Sequence, residues 1–541
     1  MPSAFFTMPI VIALVALVAL YYRGKAYLKY FQQEEYDGRR FLSWVRCNAA
    51  IDRVATLIVV VALLAGLSVE PLGSGQLAVI IALMVSIFLS RNALSQSKKA
   101  LVMTARVKRI FMVYMAVSFV LYLALTFLLH GYHASVDFNI VIVALPVLML
   151  LLAPLTLVLA KALLAPQEKA VQAKFRREAE EKLESLNPRI VAITGSFGKT
   201  STKHILDHIL SAAQPTLATP GSVNTIMGIT RVIREELKPE HKYFIVEMGA
   251  YGPGSIAKLC AFTPPEIGLI TAVGAAHYER FKSLDVVAKA KFELAEDIFS
   301  RDGRMIVSAD AIDPELLADR IKVVPGDYTL VGKDRDIQLS NLAMIKEGLR
   351  LTIAIAGEED QIVDVPLYGR HQADNIVLSI ATARALDVPW SVIRAALRSM
   401  PQIRHRVEVS MRSGSITTIN DAYNSNPIGF MAALEVLDSL KNEGGRRILV
   451  TPGMVELGTR HDEDHAIVGQ KAAQLADVIL AVTPERMPTF VEAVIHEDKA
   501  ELLQFATQDE AEAWVKANVT ALDVVLFENN LPDLYETRVF F

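Results

Sequence analysis

Five long apolar runs crowd the first 165 residues of this 541-residue chain: Ala4–Tyr22, Val54–Val69, Leu72–Ser90, Ile110–Leu129 and Phe138–Leu164. A helix needs about 20 apolar residues to cross a bilayer, or about 17 at the short end. Five such runs in series, with few charges, are hard to bury in a water-soluble core. They predict an all-α transmembrane region of about five helices over residues 1–165. The second run is short unless Ala50 and Ile51 join it, and the last holds Pro146 and Pro154, where a tilt or kink is expected. Composition agrees, with 52% hydrophobic and 21% charged residues and a mean hydropathy of +0.33, which excludes a disordered or fibrous chain. A net charge of −4 gives no reason to expect a nucleic-acid partner. Two cysteines, Cys47 and Cys260, are too few for a zinc cluster or a disulfide framework and suit a reducing compartment.

Loop charge sets the expected orientation. Segment 23–53 carries Arg23, Lys25, Lys29, Arg39, Arg40, Arg46 and Arg53, and segment 91–109 carries Arg91, Lys98, Lys99, Arg106, Lys108 and Arg109. The turns 70–76 and 130–137 carry no Lys or Arg. Basic loops stay in the cytoplasm, so five spans put the N-terminus outside and everything after residue 165 inside. The first run has no basic stretch before it and no small-residue cleavage site after it, so it reads as a retained anchor.

Residues 166–188 are charged and helix-forming, end at Pro188, and predict a solvated linker helix. From Arg189 onward, short β-branched runs alternate with amphipathic helical stretches, the pattern of βαβ units on a mostly parallel sheet. The length suffices for two α/β domains, 189–400 and 401–541, divided near the segment Ser399–Arg406.

The sharpest local signal follows the first of these strands, in Thr194-Gly195-Ser196-Phe197-Gly198-Lys199-Thr200-Ser201. Glycines let backbone N–H groups wrap a phosphate, and the helix that opens here adds its positive end. Lys199 is placed to reach β/γ-phosphates and the Thr200 hydroxyl to bind Mg²⁺; the loop is two residues shorter between its glycines than the common phosphate-loop pattern. A second strand, Phe244-Ile-Val-Glu247, ends in a carboxylate, where a Mg²⁺ ligand belongs in a nucleotide-binding sheet.

These two pieces, in this order, resemble the Mur ligases, and most the dipeptide-adding branch of that family. Further segments are similar to family motifs in family order: Gly221-Ser-Val-Asn224-Thr-Ile-Met-Gly228, Ala275-Ala276-His277, Ala288-Lys289-Ala290-Lys291-Phe292-Glu293, Gly369-Arg370-His371-Gln372-Ala-Asp-Asn375, Asp421-Ala-Tyr423-Asn424-Ser-Asn426-Pro427 and Met454-Val-Glu456-Leu457-Gly458. The resemblance covers roughly residues 189–541 and implies a P-loop central ATPase domain and a Rossmann-like C-terminal domain. It also implies ATP and Mg²⁺ and a carboxylate–amine ligation through an acyl phosphate. His277 and a carbamylated Lys291 would join Thr200 and Glu247 as metal ligands. Lys291 is favoured over Lys289 by its offset to the apolar residues after it. Arg406 would meet the γ-phosphate, Asp421 the ribose, His371 and Asn375 the nucleotide, and Asn224, Tyr423 and Asn424 the substrate. Glu456 and His465 read as structural.

Several positions depart from the family pattern. The apolar region stands where the family has a soluble domain for its UDP-linked substrate. Ser308 occupies an adenine-side position that is often asparagine, Gln372 replaces an asparagine, Pro452-Gly453 replaces Gly-Asp, and Asn420 replaces an acid. Glu528-Asn529-Asn530 lies where the family carries Lys-Gly-Ser. The expected reading is a ligase of the bacterial inner membrane with its catalytic domains in the cytoplasm, acting on a small-molecule or lipid-linked envelope precursor beside membrane lipid and the wall-synthesis machinery. The alternative is a degenerate, ligase-like scaffold or nucleotide sensor.

Overall fold

A computed structural model describes residues 3–48, 50, 72–95, 101–132, 138–274, 281, 283–345, 347–411, 416–422, 425–455 and 457–529. Chain packing separates a first unit ending at Val171 from a second unit, Gln172–Asn530.

The first unit is helical among the described residues: Ser3–Gln33, Gly38–Cys47, Leu72–Ser95, Ala105–Tyr132 and the start of Phe138–Leu186. Among the described residues, three stretches are long and apolar enough to cross a membrane: Val11–Gln33, Ala105–Leu125 and Leu148–Leu186. The apolar run at Leu72 is also helical, whereas Val54–Val69 lies outside the described residues. The last apolar run and the expected linker form one helix of 49 residues. Nothing in 166–186 breaks it, because Gln, Glu, Lys, Ala and Arg are good helix formers. An aromatic core joins the helices, with Tyr27, Phe31, Phe41, Tyr114 and Leu157 buried and Tyr30 stacked on Trp44 at 4.2 Å between ring centres. Arg106 binds Glu168 through two hydrogen bonds of 2.8 and 2.9 Å. The outward faces are apolar, and Leu14, Phe88, Phe119, Leu123 and Leu163 are all at least half exposed.

The second unit holds two sheets. The first contains β1 (Arg189–Thr194), β2 (Thr216–Ala218), β3 (Tyr243–Glu247), β4 (Ile267–Ile270), β5 (Arg304–Ser308), β6 (Tyr328–Val331), β7 (Ile337–Ile345), β8 (Gly348–Ile355) and β9 (Gln361–Val365). Their order is β2-β3-β1-β4-β5-β6-β7-β8-β9, parallel up to β7 and antiparallel from β7 to β9. Strands β1, β3 and β4 are almost entirely buried, which explains their continuous apolar runs. Two buried clusters cover the faces, one including Ile193, Leu206 and Ile376, the other Phe244, Phe292 and Ile298.

The second sheet contains β10 (Glu408–Ser410), β11 (Thr417–Asp421), β12 (Arg447–Thr451), β13 (Val478–Val482), β14 (Glu501–Phe505) and β15 (Val524–Glu528), in the order β10-β11-β15-β12-β13-β14. All neighbours are parallel except β10 with β11. Strand β15 therefore returns late in the chain to lie between β11 and β12. Its last residue, Glu528, stands in register beside Asp421, the last residue of β11.

Candidate functional site

In the first sheet the chain leaves β1 for β2 and β3 on one side and reaches β4 on the other. Such a reversal opens a crevice at the carboxyl ends of the strands, and the glycine loop after β1 lies there. Gly198 has φ +79°, a backbone state that disfavours side chains, and an added Cβ would run into the Asn375 amide. The helix Lys199–Ala213 starts with no side-chain cap, so its first N–H groups are available to an anion. Several loop hydroxyls are used for scaffolding. Thr194 donates to the Met248 carbonyl at 3.0 Å, Ser196 donates to the Gly274 carbonyl at 3.0 Å, and Thr271 donates to the Phe197 carbonyl. Ser201 is buried. Lys199 is half-buried, with Nζ donating to the Gly195 carbonyl at 2.7 Å. Desolvation holds its pKa below the usual lysine value, Glu247 opposes the shift, and Arg406 and Lys203 reinforce it.

Glu247, at the end of β3, is the hub of the site, with its side chain 1% exposed. Its Oε2 accepts from Thr200 Oγ1 at 3.0 Å and from Lys203 Nζ at 2.9 Å, and its Oε1 accepts from Asn224 Nδ2 at 3.3 Å. Asn224 in turn accepts from the Tyr251 hydroxyl at 2.9 Å. Adjacent ligands of an octahedral Mg²⁺ stand about 3 Å apart, given bonds of about 2.1 Å, so the Thr200–Glu247 pair fits one edge of such a site. Among the described residues no cluster of three or more His, Cys, Asp or Glu could hold a metal ion.

The helix Leu284–Phe299 separates the two candidate lysines. Lys289 is exposed, whereas Lys291 is 4% exposed. Burial, and then the charge of Lys199, push the Lys291 ammonium well below its ordinary pKa. Asn375 lies under the loop, accepting from Thr202 Oγ1 at 3.0 Å while its amide donates to the Gln372 side chain at 3.1 Å. His371 has a buried Nδ1 without a partner among the described residues. Desolvation, and then Arg406, press its pKa down to about 4.

The charge of Arg406 acts on Lys199, His371 and Asp421. Its neighbours His405 and Val407 have φ +57° and +51°, and such strain on a β-branched residue is rare. The Val407 N–H donates to Asp421 Oδ1 at 3.2 Å, fixing that turn. His277, Tyr423, Asn424 and Glu456 lie outside the described residues. Lys203 and Thr271 are site residues that the motif reading missed. Lys203 was detectable as the lysine one helical turn after Lys199, on the same helix face.

Family comparison places this geometry. The Mur ligase middle domain matches residues 193–383, and the Mur ligase, glutamate ligase domain matches residues 405–528. The chain belongs to the Mur ligase family. The UDP-N-acetylmuramoyl-tripeptide–D-alanyl-D-alanine ligase of Mycobacterium tuberculosis (strain ATCC 25618 / H37Rv) is 33% identical over 295 residues, 53% of this chain and 56% of that protein. The ligase of the same description from Escherichia coli (strain K12) is 32% identical over 300 residues, 54% of this chain and 64% of that protein. The chain thus spans under two thirds of these Mur ligases. Among solved structures, MurF from Thermotoga maritima in complex with ADP is similar at a TM-score of 0.58 and 26% identity, covering 66% of this chain and 80% of that one. MurF from Acinetobacter baumannii gives a TM-score of 0.58 at 26% identity, covering 67% and 78%. The likeness is to the MurF type of Mur ligase, and both family domains lie within the second unit.

Proposed function

We propose that this Mur ligase is a membrane-anchored, ATP-dependent carboxylate–amine ligase that extends a peptidoglycan or related cell-envelope precursor. The observation that carries the reading is the convergence of Thr200, Lys203 and Asn224 on Glu247 at the end of β3, beside the glycine loop that follows β1. A carboxylate is a poor electrophile, so its oxygen first attacks the γ-phosphorus of ATP, and ADP leaves. The amine then attacks the acyl phosphate, the C–N bond forms and inorganic phosphate departs. The protein supplies positioning and charge neutralisation. The loop N–H groups and Lys199 hold the phosphates, and Arg406 faces them from the second sheet. Thr200 and Glu247 would hold Mg²⁺, which screens phosphate charge when bound. A buried ammonium at Lys291 is costly next to Lys199, and carbamylation by CO₂ would turn it into an anionic oxygen ligand. His371, Asn375 and Asp421 border the nucleotide, and Asn224, with Tyr423 and Asn424, borders the substrate. The Mycobacterium tuberculosis and Escherichia coli relatives are described as ligases for the muramoyl tripeptide and D-alanyl-D-alanine.

The apolar helices of the first unit support an anchor. Their exposed Leu and Phe side chains would be an unsustainable surface in water. Basic residues between the apolar runs suit a phosphate-bearing lipid headgroup, which favours a lipid-linked acceptor and a bacterial inner-membrane location. The test is ATP-dependent phosphate release by the detergent-solubilised full chain, with soluble and lipid-linked wall precursors as acceptors. Lys199→Ala is expected to lose at least ~100-fold in rate, in the range for a lost charge stabiliser. Full turnover by that variant would overturn the ligase reading. Nucleotide binding without phosphate release would favour a scaffold or sensor, and turnover of the soluble acceptor alone would reject the lipid-linked one.

A further inference from the structure

Lys203 is fully buried and has no task in the phosphate chemistry set out above. It lies one helical turn beyond Lys199, on the helix Lys199–Ala213. A lysine stem loses much freedom on burial, and its ammonium is costly to desolvate unless partners hold it. Two partners do. Nζ donates to Glu247 Oε2 at 2.9 Å and to the Gly221 carbonyl. The carboxylate is as buried as the ammonium, with each side chain 1% exposed, so the two charges balance in a place closed to water. Gly221 by contrast is exposed, in a turn closed by the Val223 N–H on the Pro220 carbonyl at 3.1 Å.

That turn leads to Asn224, and the segment 219–224 meets Glu247 at three places. The Glu247 N–H donates to Thr219 Oγ1 at 3.1 Å. Lys203 joins the Gly221 carbonyl to Glu247 Oε2, and the Asn224 amide donates to Oε1 at 3.3 Å. Both carboxylate oxygens are therefore gripped, one from the helix after β1 and one from the loop after β2. A carboxylate offers about four acceptor positions, so Lys203 and Asn224 can stay in place while a cation takes another. Neighbours that fix the plane of a metal-binding carboxylate are worth about 10- to 100-fold in metal affinity. Resting on the ligase reading, we propose that Lys203 is a positioning residue with two linked tasks. It orients Glu247 for the divalent cation, and it ties the Asn224 loop to the same carboxylate, so that metal binding and loop order are coupled. Without the ammonium, Glu247 keeps a buried charge with no counter-charge bonded to it, and the Gly221 carbonyl loses its hold on the interior. Lys199 donates instead to the Gly195 carbonyl, so the phosphate loop does not hang on Lys203 and nucleotide affinity is separable from metal affinity.

The test uses the full chain in detergent, with Mn²⁺ as the metal probe and ADP as the nucleotide. Electron paramagnetic resonance counts free Mn²⁺, calorimetry reads ADP affinity with and without metal, and hydrogen exchange follows segment 219–228. Lys203→Met keeps the length of the side chain and removes its charge. It is expected to weaken Mn²⁺ binding in the presence of ADP by about 10- to 100-fold and to leave metal-free ADP affinity within about twofold. Exchange in segment 219–228 is expected to speed up in the variant. In the wild type with ADP, adding Mn²⁺ is expected to slow exchange there, and in the variant that response is lost. Unchanged Mn²⁺ affinity in the variant would overturn the proposal. So would an equal loss of ADP affinity with and without metal, which a merely structural lysine would produce. Wild-type exchange in 219–228 that ignores Mn²⁺ would overturn it even if the variant fails to fold. The ligase reading fails separately, if the wild type binds no ADP or releases no phosphate from ATP.

Discussion

Lys289 and Lys291 are two residues apart on one helix and meet opposite surroundings. The first is exposed, and the second is buried within reach of the Lys199 charge. A helix turns about 200° over two residues, so only one of them can face the phosphate loop. Lys291→Ala is expected to lose at least ~100-fold in phosphate release, the scale of a lost metal or charge ligand, while Lys289→Ala stays within twofold. A rate assay on both variants, with ADP binding as the control for folding, checks this. Glu247 shows the same dependence on context. Its position at a strand end was readable from the sequence, but its three partners come from the helix after β1 and from the Asn224 loop. Lys203 on Glu247 is buried on both sides, and the mutual pairing offsets the cost of desolvating each charge.

Among the elements, the glycine loop and β3 follow directly from local patterns: β-branched runs, then a glycine turn, then a helix whose apolar face carries Leu206 and Leu210. The second sheet is less direct. The helix His461–Leu475 places His465 inside, fully buried, with Nδ1 donating to the His461 carbonyl at 2.7 Å and Nε2 accepting from the Met454 N–H at 3.0 Å. Both ring nitrogens are thus used by a neutral imidazole, in keeping with the structural reading of that residue. Burial lowers its pKa to about 4. The unfolded chain takes up this proton near pH 6.5 and the folded chain only near 4. Stability present above pH 6.5 is therefore lost as the pH falls toward 4, by about 3 kcal/mol in all. Hydrogen exchange at the β12 amides is expected to speed up between pH 6.5 and 4.5, after correction for the intrinsic rate. His465→Gln should be less stable at pH 7 and show a flatter dependence; an equally steep one would remove His465 as the cause.

For the whole molecule, the first unit poses a solvent question. Its helices pack an aromatic core around Phe31, Phe41 and Tyr114 and turn Leu and Phe outward on the other faces. A water-soluble bundle would reverse that outer face. The full chain is expected to sediment with membranes, to resist extraction by alkaline carbonate and to be released by detergent. Recovery in the aqueous carbonate fraction would show that the helices do not span. Residues 172–530 protected from protease in intact cells and cleaved after permeabilisation would confirm the orientation expected from the basic loops.

The linear chain by itself determined the division into an apolar helical part and an α/β part, the phosphate loop, the acid after β3 and the family, because each depends on period, spacing or a short contiguous motif. Tertiary structure decided which lysine is buried, that Thr194 and Ser196 serve the scaffold, that Lys203 joins Glu247, and that Asp421 meets Glu528 across 107 residues of chain. These are facts of burial and strand order, and no local pattern encodes them. A late strand inserted between two earlier ones brings distant carboxylates to one edge, where burial lifts the pKa of both.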